Sequence, residues 1–514
     1  MTAHFTRRLR AAALATSLCL GVVAGQEPAP SGRHRVSDTA PPAIDRGLHD
    51  ADPPAPSRAF GQDRIDRSAL TNRQYLQGSV IVKFRVGASS TQRSMTLSRV
   101  GGAITTAGSY TNFEIVSIDS AADPEAVAAD LSSRSDVEYA QARYRVYPSF
   151  TPNDPLYSRQ WNFPAIDMER AWDLNPGASS SVIVAVLDSG VAYRNATLRF
   201  NAPGFTADGQ RYPALGTVEV PFAAAPELGG QDRFVTPRDF IWGDETPLDM
   251  DGHGTHVAGT IGQLTNNGVG VAGMAFNVRL MPVKVIDTAW DIVFDSPFFA
   301  TDDVVARGIR YAADNGAKVL NMSIGRGGSP APVLRDAMQY AVSRGAFLVV
   351  SAGNEFEQDN ELNRLAEFAP DIQGMVAVGA IGRDRIRAFY SNTGPHIELV
   401  APGGDTRRNG SAGGILQQTF DEGFVDTFSL GPARYRAPRF DVFAFEFYQG
   451  TSMAAPHVSG FAALLIQQGI TSPAAIEAIM KRYATDLGAP GRDNEYGYGL
   501  INPRATLRGM GLIR

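Results

Sequence analysis

Residues 182–188 read VIVAVLD: six apolar residues in succession, followed by the carboxylate of Asp188. An unbroken apolar run of this length is typical of a strand that is covered on both faces, as in a parallel sheet flanked by helices. Residues 318–322 and 347–350 are two more such runs, and residues 375–378 and 397–400 are predicted as further strands.

Helical patterns separate these runs. Residues 303–314 and 333–342 are predicted helices, and the glycines just beyond them, Gly316 and Gly345, are typical C-terminal stops. The β–α alternation beyond Pro152 predicts an α/β fold, with a mainly parallel sheet between two layers of helices. Ligands of such folds bind outside the carboxyl ends of the strands.

Composition limits the function classes. The chain has 514 residues, of which 44% are hydrophobic and 19% charged, and a net charge of −6. This length allows two to four domains, and the apolar fraction excludes wholesale disorder. No long basic cluster is present, so we expect no nucleic-acid partner. The single cysteine, Cys19, excludes an intramolecular disulfide and any cysteine-based metal cluster.

The first 74 residues are predicted to lie outside the folded domains. Residues 1–25 combine a basic start, an apolar stretch over 11–24 and small residues at the end, which is typical of a secretory signal peptide. The stretch is too short for a transmembrane anchor. Secretion to the cell envelope or beyond is expected, and the Arg7-Arg8 pair leaves the choice of export route open. Residues 26–74 are predicted as a disordered, proline-rich linker.

Residues 75–148 are predicted to form a small α+β module with ferredoxin-like character. Residues 80–84, 113–118, 136–139 and 144–147 are the expected strands. A helix is expected to begin at Asp123, where Asp, Pro and Glu follow one another at the N-cap and first turn. These residues alone do not indicate a function.

Four polar residues lie where the large sheet should bind ligands. Asp188 and Asn354 follow buried runs, His253 begins a small-residue helix, and Ser452 precedes the predicted helix 458–465. A serine hydroxyl needs a base to act as a nucleophile, and a histidine base needs a carboxylate to hold its tautomer. Ser452, His253 and Asp188 could fill these roles, and the Asn354 amide with the Ser452 N–H could stabilise an oxyanion.

These segments resemble the signatures of the subtilisin family of serine endopeptidases, the subtilases. Residues 187–191 (LDSGV), 253–260 (HGTHVAGT) and 450–456 (GTSMAAP) match in the order Asp, His, Ser. The likeness extends over about residues 150–510, so residues 149–514 would form the peptidase domain. It implies peptide-bond hydrolysis through an acyl-enzyme on Ser452.

The resemblance also implies a substrate site and a partner. Ser323, Ile324 and Gly325 would align the substrate backbone as an added β-strand, and Ala352 and Gly353 would also bind substrate. Residues 75–148 would be a propeptide that assists folding and then inhibits the enzyme. Autocleavage is expected between about Arg145 and Pro152. The partners are therefore polypeptide substrates and the chain's own propeptide, and a monomer is expected.

The chain departs from the family pattern in three places. Residues 287–302 and 405–448 resemble insertions that would border the substrate cleft. Asn267 belongs to a segment that resembles the calcium loop of some relatives, but Thr197 stands where those relatives place an acidic ligand. A structural calcium is therefore doubtful, and the proposed chemistry needs no cofactor.

Several alternatives remain open. A catalytically silent subtilase fold should have lost a triad residue, and an α/β-hydrolase esterase or lipase should carry a Gly-x-Ser-x-Gly motif. His253 and His256 could suggest a metal pair, but the glutamate of the His-Glu-x-x-His motif is absent. His396 and His457 are interpreted as structural. Glu355 either favours a basic substrate side chain at the primary pocket or is a solvated surface glutamate.

Overall fold

A computed structural model describes residues 75–106, 112–144 and 150–511. The predicted signal peptide (1–25), the predicted linker (26–74) and most of the expected cleavage region lie outside these residues. The described chain separates into two compact units, one ending at Tyr144 and the other running from Phe150 onwards.

The first unit is an antiparallel sheet with two helices. Its elements are β1 (Tyr75–Phe84), α1 (Ser90–Arg99), β2 (Ala103–Thr106), β3 (Glu114–Ser117), α2 (Pro124–Ser132) and β4 (Val137–Tyr144). The strand order β2-β3-β1-β4, with antiparallel pairing throughout, is the ferredoxin-like topology that the sequence predicted. Val80, Val82, Val116 and Leu131 are fully buried at its centre.

Two features of this unit differ from the prediction. The expected strands 136–139 and 144–147 form one continuous strand up to Tyr144. Helix α1 and strand β2 were not predicted, because α1 is mostly polar and buries only Thr96 and Leu97. Its start is instead fixed by a capping box, in which Ser89 and Gln92 exchange hydrogen bonds.

The second unit contains thirteen strands in its described residues. They are β5 (Ile183–Asp188), β6 (Ala196–Ala202), β7 (Phe205–Ala207), β8 (Gln210–Tyr212), β9 (Gly216–Phe222), β10 (Arg238–Asp239), β11 (Arg279–Lys284), β12 (Val319–Met322), β13 (Phe347–Ser351), β14 (Met375–Ile381), β15 (Leu399–Pro402), β16 (Ile415–Phe420) and β17 (Phe443–Tyr448). Seven of them form one parallel sheet in the order β10-β11-β5-β12-β13-β14-β15.

The helices of this unit vary from four to seventeen residues. They are α3 (Asn162–Ala165), α4 (Met168–Trp172), α5 (His253–Gly262), α6 (Ala289–Val293), α7 (Asp302–Asp314), α8 (Pro332–Ser343), α9 (Thr406–Asn409), α10 (Glu422–Val425), α11 (Thr451–Gln467), α12 (Pro473–Tyr483) and α13 (Pro503–Gly509). The predicted helices 303–314 and 333–342 correspond to α7 and α8.

The sheet lies between two hydrophobic cores, which confirms the predicted three-layer fold. Alternate residues of β5 point to opposite sides, with Val184 and Val186 in one core and Ala185 and Leu187 in the other. The first core includes the apolar residues of α5 and α11, and the second those of α7 and α8. This two-sided burial explains why the strands read as continuous apolar runs.

Helix α11 begins earlier than predicted. The sequence predicted a helix over 458–465, but α11 starts at Thr451 and contains Pro456. Proline has no N–H, so the Ser452 carbonyl lacks its usual partner within the helix. The Ser323 hydroxyl donates to that carbonyl at 2.8 Å, so the helix continues through the proline.

Three segments that lie outside the parallel sheet pack against one another through aromatic rings. We call this cluster the aromatic shoulder, and its members are Phe205, Tyr212, Trp290, Phe428 and Tyr435. Trp290 belongs to the predicted insertion 287–302, and Phe428 and Tyr435 belong to 405–448. The third segment, the arm formed by β6 to β9, was not predicted. Trp290 also donates its indole N–H to the Val425 carbonyl at 2.8 Å, which joins the two predicted insertions.

A membrane-crossing helix would need a long apolar segment, and none of the helices in the described part of the chain provides one.

Candidate active site

Asp188 and His253 are in direct contact at the carboxyl end of the sheet. Asp188 is the last residue of β5 and is 1% exposed, and His253 is the first residue of α5. The His253 Nδ1 lies 2.7 Å from Asp188 Oδ1. A carboxylate can only accept, so the His253 Nδ1 carries the proton of this hydrogen bond.

A buried carboxylate that the sequence analysis missed fixes the start of α5. Asp249 is 1% exposed and accepts from the backbone N–H groups of Asp251, Gly252 and Thr255 at 3.0 Å each. It also accepts from the Ser189 hydroxyl, which in turn accepts from the Gly254 N–H. The loop after Asp188 is therefore tied to the turn that carries His253.

Ser452 lines the same cavity as Asp188 and His253. It is the second residue of α11 and is 7% exposed. Its hydroxyl donates to the Ser323 carbonyl at 3.2 Å, and the Ser323 hydroxyl bonds the Ser452 carbonyl in return. The start of α11 is thereby fastened to the segment after β12. The positive end of the helix dipole lies at Ser452.

Asn354 also lines this cavity, with its amide held in one orientation. Its Oδ1 accepts from both the N–H and the hydroxyl of Thr451, at 2.9 Å each. The amide N–H group is therefore left for a ligand. A Cβ at Gly450 would lie 3.5 Å from Asn354 Nδ2 and 3.6 Å from the Ser452 nitrogen. Gly450, at a φ of 152°, thus leaves the space beside both donors open.

The predicted substrate segment follows β12 and borders the cavity. Ser323, Ile324 and Gly325 line it, as does Gly353, whereas Ala352 is fully buried and does not. Within the described residues, neither the N–H nor the C=O of Gly325 has a hydrogen-bond partner. This backbone is available to an added strand.

Arg326, which the sequence analysis did not single out, directly follows this segment. Its guanidinium makes a bidentate ion pair with Asp302 at 2.6–2.7 Å, and it donates to the carbonyls of Gly327 and Ser329. Arg326 therefore connects the substrate segment to the start of α7.

A buried ion pair anchors the predicted insertion 287–302, and it too was missed. Lys284 lies opposite Asp188 in the β11–β5 register, and its Nζ is 2.8 Å from Asp291 Oδ1. Both side chains are 0% exposed. Burial acts to lower the pKa of Lys284, but the nearby carboxylates, first Asp291, outweigh it and raise that pKa. Asp291 also accepts from the Trp242 indole at 2.6 Å.

The start of the same insertion borders the cavity, whose lining includes Ile286, Asp287 and Thr288. Thr288 exchanges hydrogen bonds with Asp291 in a capping box at the start of α6.

The remaining buried histidines are engaged in packing. Burial lowers the pKa of His256 to about 3, and the pKa values of His396 and His457 to about 4. His256 lies 2.9 Å from the Ile415 carbonyl and stacks on Tyr448 at 4.5 Å. His457 lies 2.8 Å from both the Met453 carbonyl and the Asn162 amide.

Two buried carboxylates converge on the loop that contains Asn267. Asp154 and Glu227 are each 4% exposed. Asp154 accepts from the Asn266 and Asn267 N–H groups, and Glu227 accepts from the Asn267 amide at 3.3 Å. Burial raises the pKa of Glu227, and Asp154 adds to the effect. Carboxylate and amide oxygens are ligands that calcium takes in proteins, and Asp154, Glu227 and Asn267 offer both kinds here.

Within the described residues, the carboxylate contacts of this loop come from Asp154 and Glu227 and not from the segment around Thr197. Thr197 lies on β6, at the base of the arm, where it pairs with Pro221. The acidic side chain beside Asn267 is Glu227, which follows the arm.

Comparisons with known proteins cover both units. The subtilase family model matches residues 179–499, and the fervidolysin N-terminal prodomain model matches residues 63–142. A thermophilic serine proteinase of Bacillus sp. (strain AK1) is 30% identical over 432 residues, covering 83% of this chain and 86% of that protein. An extracellular protease of Xanthomonas campestris pv. campestris is 32% identical over 415 residues, covering 77% of this chain and 63% of the relative.

Among solved structures, a protease of Pseudoalteromonas arctica PAMC 21717 has a TM-score of 0.52 at 28% identity. The match covers 70% of this chain and 99% of that one. The family model spans the parallel sheet and includes Asp188, His253 and Ser452.

Proposed function

The chain belongs to the subtilase family of serine proteases and carries a prodomain, and we propose that it is an endopeptidase whose catalytic triad is Ser452, His253 and Asp188. The observation that carries this proposal is the 2.7 Å contact between His253 and Asp188 in a cavity that Ser452 also lines. The silent-scaffold alternative lacks support, because all three side chains are present at this cavity.

The proposed reaction proceeds in two steps. Ser452 Oγ attacks the substrate carbonyl carbon while His253 Nε2 takes the hydroxyl proton, and Asp188 stabilises the resulting imidazolium. The Asn354 amide and the Ser452 N–H would donate to the oxyanion. The C–N bond then breaks as His253 gives its proton to the leaving amine. Water, deprotonated by the same histidine, hydrolyses the acyl-enzyme and frees Ser452.

Replacement of the nucleophile tests this proposal. We expect Ser452→Ala to abolish peptidase activity, self-release of the propeptide and labelling by a fluorophosphonate. Ser459→Ala is a matched control, because Ser459 lies on the same helix and bonds Asn321 at 2.8 Å, outside the cavity lining. Efficient self-processing by Ser452→Ala would refute the assignment.

We further propose that residues 75–148 act as an intramolecular inhibitor of the domain formed by 149–514, so that the protein is made as a zymogen. The ferredoxin-like fold of the first unit and its match to a prodomain model support this role. Export through a signal peptide at 1–25 is also proposed, on the analogy of a relative named as extracellular. N-terminal sequencing of the secreted protein would locate both cleavage sites, and gel filtration would test the expected monomer.

A structural calcium is proposed at Asp154, Glu227 and Asn267. Bound there, the ion would neutralise two buried carboxylates and brace the loop that follows α5. It would take no part in the chemistry, because none of these three residues lines the cavity that contains His253 and Ser452.

A further inference from the structure

Four carboxylates outside the proposed triad line the catalytic cavity, and each is held by a backbone N–H group. The donors contact one oxygen of each carboxylate at 2.7–3.1 Å. The pairs are Asp251 with the N–H of His253, Asp287 with that of Ala300, Glu355 with that of Asn354, and Glu361 with that of Gly328. Each side chain therefore has a fixed orientation.

The second oxygen of each carboxylate is available to a ligand. In the described part of the chain, none of these four oxygens has a hydrogen-bond partner, and none is sealed from solvent. Asp251, Asp287 and Glu355 are half-buried, so charge on them is screened less than on an open surface. Burial raises the pKa of Asp287 and raises that of Asp251 to about 6, and in each case it outweighs the opposing effect of a basic group, Lys284 for Asp287 and His253 for Asp251.

The basic side chains that line the cavity already have carboxylate partners. His253 faces Asp188, and Arg326 is neutralised by its bidentate pair with Asp302. No ion pair joins any of the four carboxylates to a cation within the described residues. The cavity thus presents four carboxylates that no ion pair within the described residues neutralises.

The carboxylates lie on both sides of the substrate segment. In the sheet order β11-β5-β12-β13, the segment 323–325 follows β12. Asp287 follows β11 and Asp251 precedes α5, whereas Glu355 and Glu361 follow β13 on the other side. Successive side chains of an added strand point to opposite sides. Of two neighbouring substrate residues, one would therefore face the side with Asp251 and Asp287, and the other the side with Glu355 and Glu361.

We propose that the cleft selects polypeptides with two adjacent basic residues immediately before the cleaved bond. Glu355 and Glu361 would bind the residue that supplies the scissile carbonyl, because Glu355 adjoins Asn354, and Asp251 and Asp287 would bind the residue before it. This proposal rests on the proposed peptidase function.

A set of four peptides tests the preference. The two residues before the scissile bond are Arg-Arg, Ala-Arg, Arg-Ala and Ala-Ala in an otherwise identical, neutral sequence. We expect each arginine to raise kcat/KM about tenfold, the usual effect of one charge-assisted hydrogen bond. Raising the salt concentration from about 0.05 M to 0.5 M should reduce the Arg-Arg advantage by charge screening.

Amide variants assign each side of the cleft. Glu355→Gln and Asp251→Asn keep an oxygen for the backbone N–H but remove the charge. Glu355→Gln should reduce the arginine advantage at the residue next to the bond, and Asp251→Asn the advantage at the preceding residue. Glu357→Gln is the matched control, because Glu357 is exposed, pairs with Arg407 and lies outside the cavity lining.

The possible results separate this proposal from the peptidase function. Equal or better cleavage of the Ala-Ala peptide, with Ser452 still labelled by a fluorophosphonate, would overturn the dibasic preference alone. Failure to cleave any peptide, together with no labelling, would overturn both. The peptide series uses the unaltered enzyme, so it decides the matter even if a variant does not fold.

Discussion

The proposed oxyanion donor offers the sharpest test of the site geometry, because activity and stability can be separated there. In Asn354→Ala the Nδ2 donor is lost, which should lower kcat by roughly 10²–10³, or about 2.7–4 kcal/mol of transition-state stabilisation. The variant also removes the Oδ1 that accepts from the Thr451 N–H and hydroxyl at 2.9 Å each. Loss of these contacts should cost about 1–2 kcal/mol of folding stability.

Asn354→Asp distinguishes the two effects. An aspartate keeps an acceptor for Thr451 but has no N–H, and its charge opposes an oxyanion. We therefore expect near-wild-type stability with a loss in kcat at least as large as for alanine. The assay is steady-state kcat and KM on one peptide, with the melting temperature of each variant. A folded Asn354→Ala enzyme with kcat within about threefold of wild type would refute the role of Asn354.

Three other predictions concern stability. A chelator should lower the melting temperature of the wild type, and Asp154→Asn with Glu227→Gln should abolish that sensitivity; no change in the wild type would argue against a calcium site. Lys284→Met should lower the urea-derived unfolding free energy by about 3–5 kcal/mol, because it leaves Asp291 buried without its cation; a loss below 1 kcal/mol would contradict this reasoning. Folding lowers the pKa of His457 from 6.5 to about 4. Below about pH 6.5 the unfolded chain binds a proton at this residue that the folded protein does not, so the free energy of unfolding declines as pH falls from 6.5 towards 4. His457→Gln should therefore show a shallower decline of unfolding free energy over that range, and identical slopes would contradict the assignment.

The sequence predicted the sheet well because its strands are buried on both faces. Val184 and Leu187, for example, belong to different cores, and because both faces of the strand are buried, no polar residue interrupts the apolar run. A polar residue such as Asp188 then marks the end of the strand. The predicted strands also allowed the location of the candidate site to be predicted, because the carboxyl ends of parallel strands meet at one edge of the sheet.

The parts that were missed depend on contacts between distant segments. Asp249 is one acidic residue among several before His253, and only the folded turn shows that it accepts five hydrogen bonds. Lys284 ends an apolar strand, where a lysine usually reaches solvent, and its partner Asp291 becomes visible only once α6 is folded over it. Glu227 follows the arm, and only the folded structure shows that it contacts the loop that contains Asn267.

The proposed triad is distributed along the chain in an order that bears on biosynthesis. Asp188, His253 and Ser452 come from three separate elements, with 65 residues between the first two and 199 between the last two. During translation, Asp188 and His253 are added to the chain well before Ser452. The proposed triad therefore stays incomplete until residue 452 has been added, and proposed hydrolysis by the nascent chain cannot precede that point.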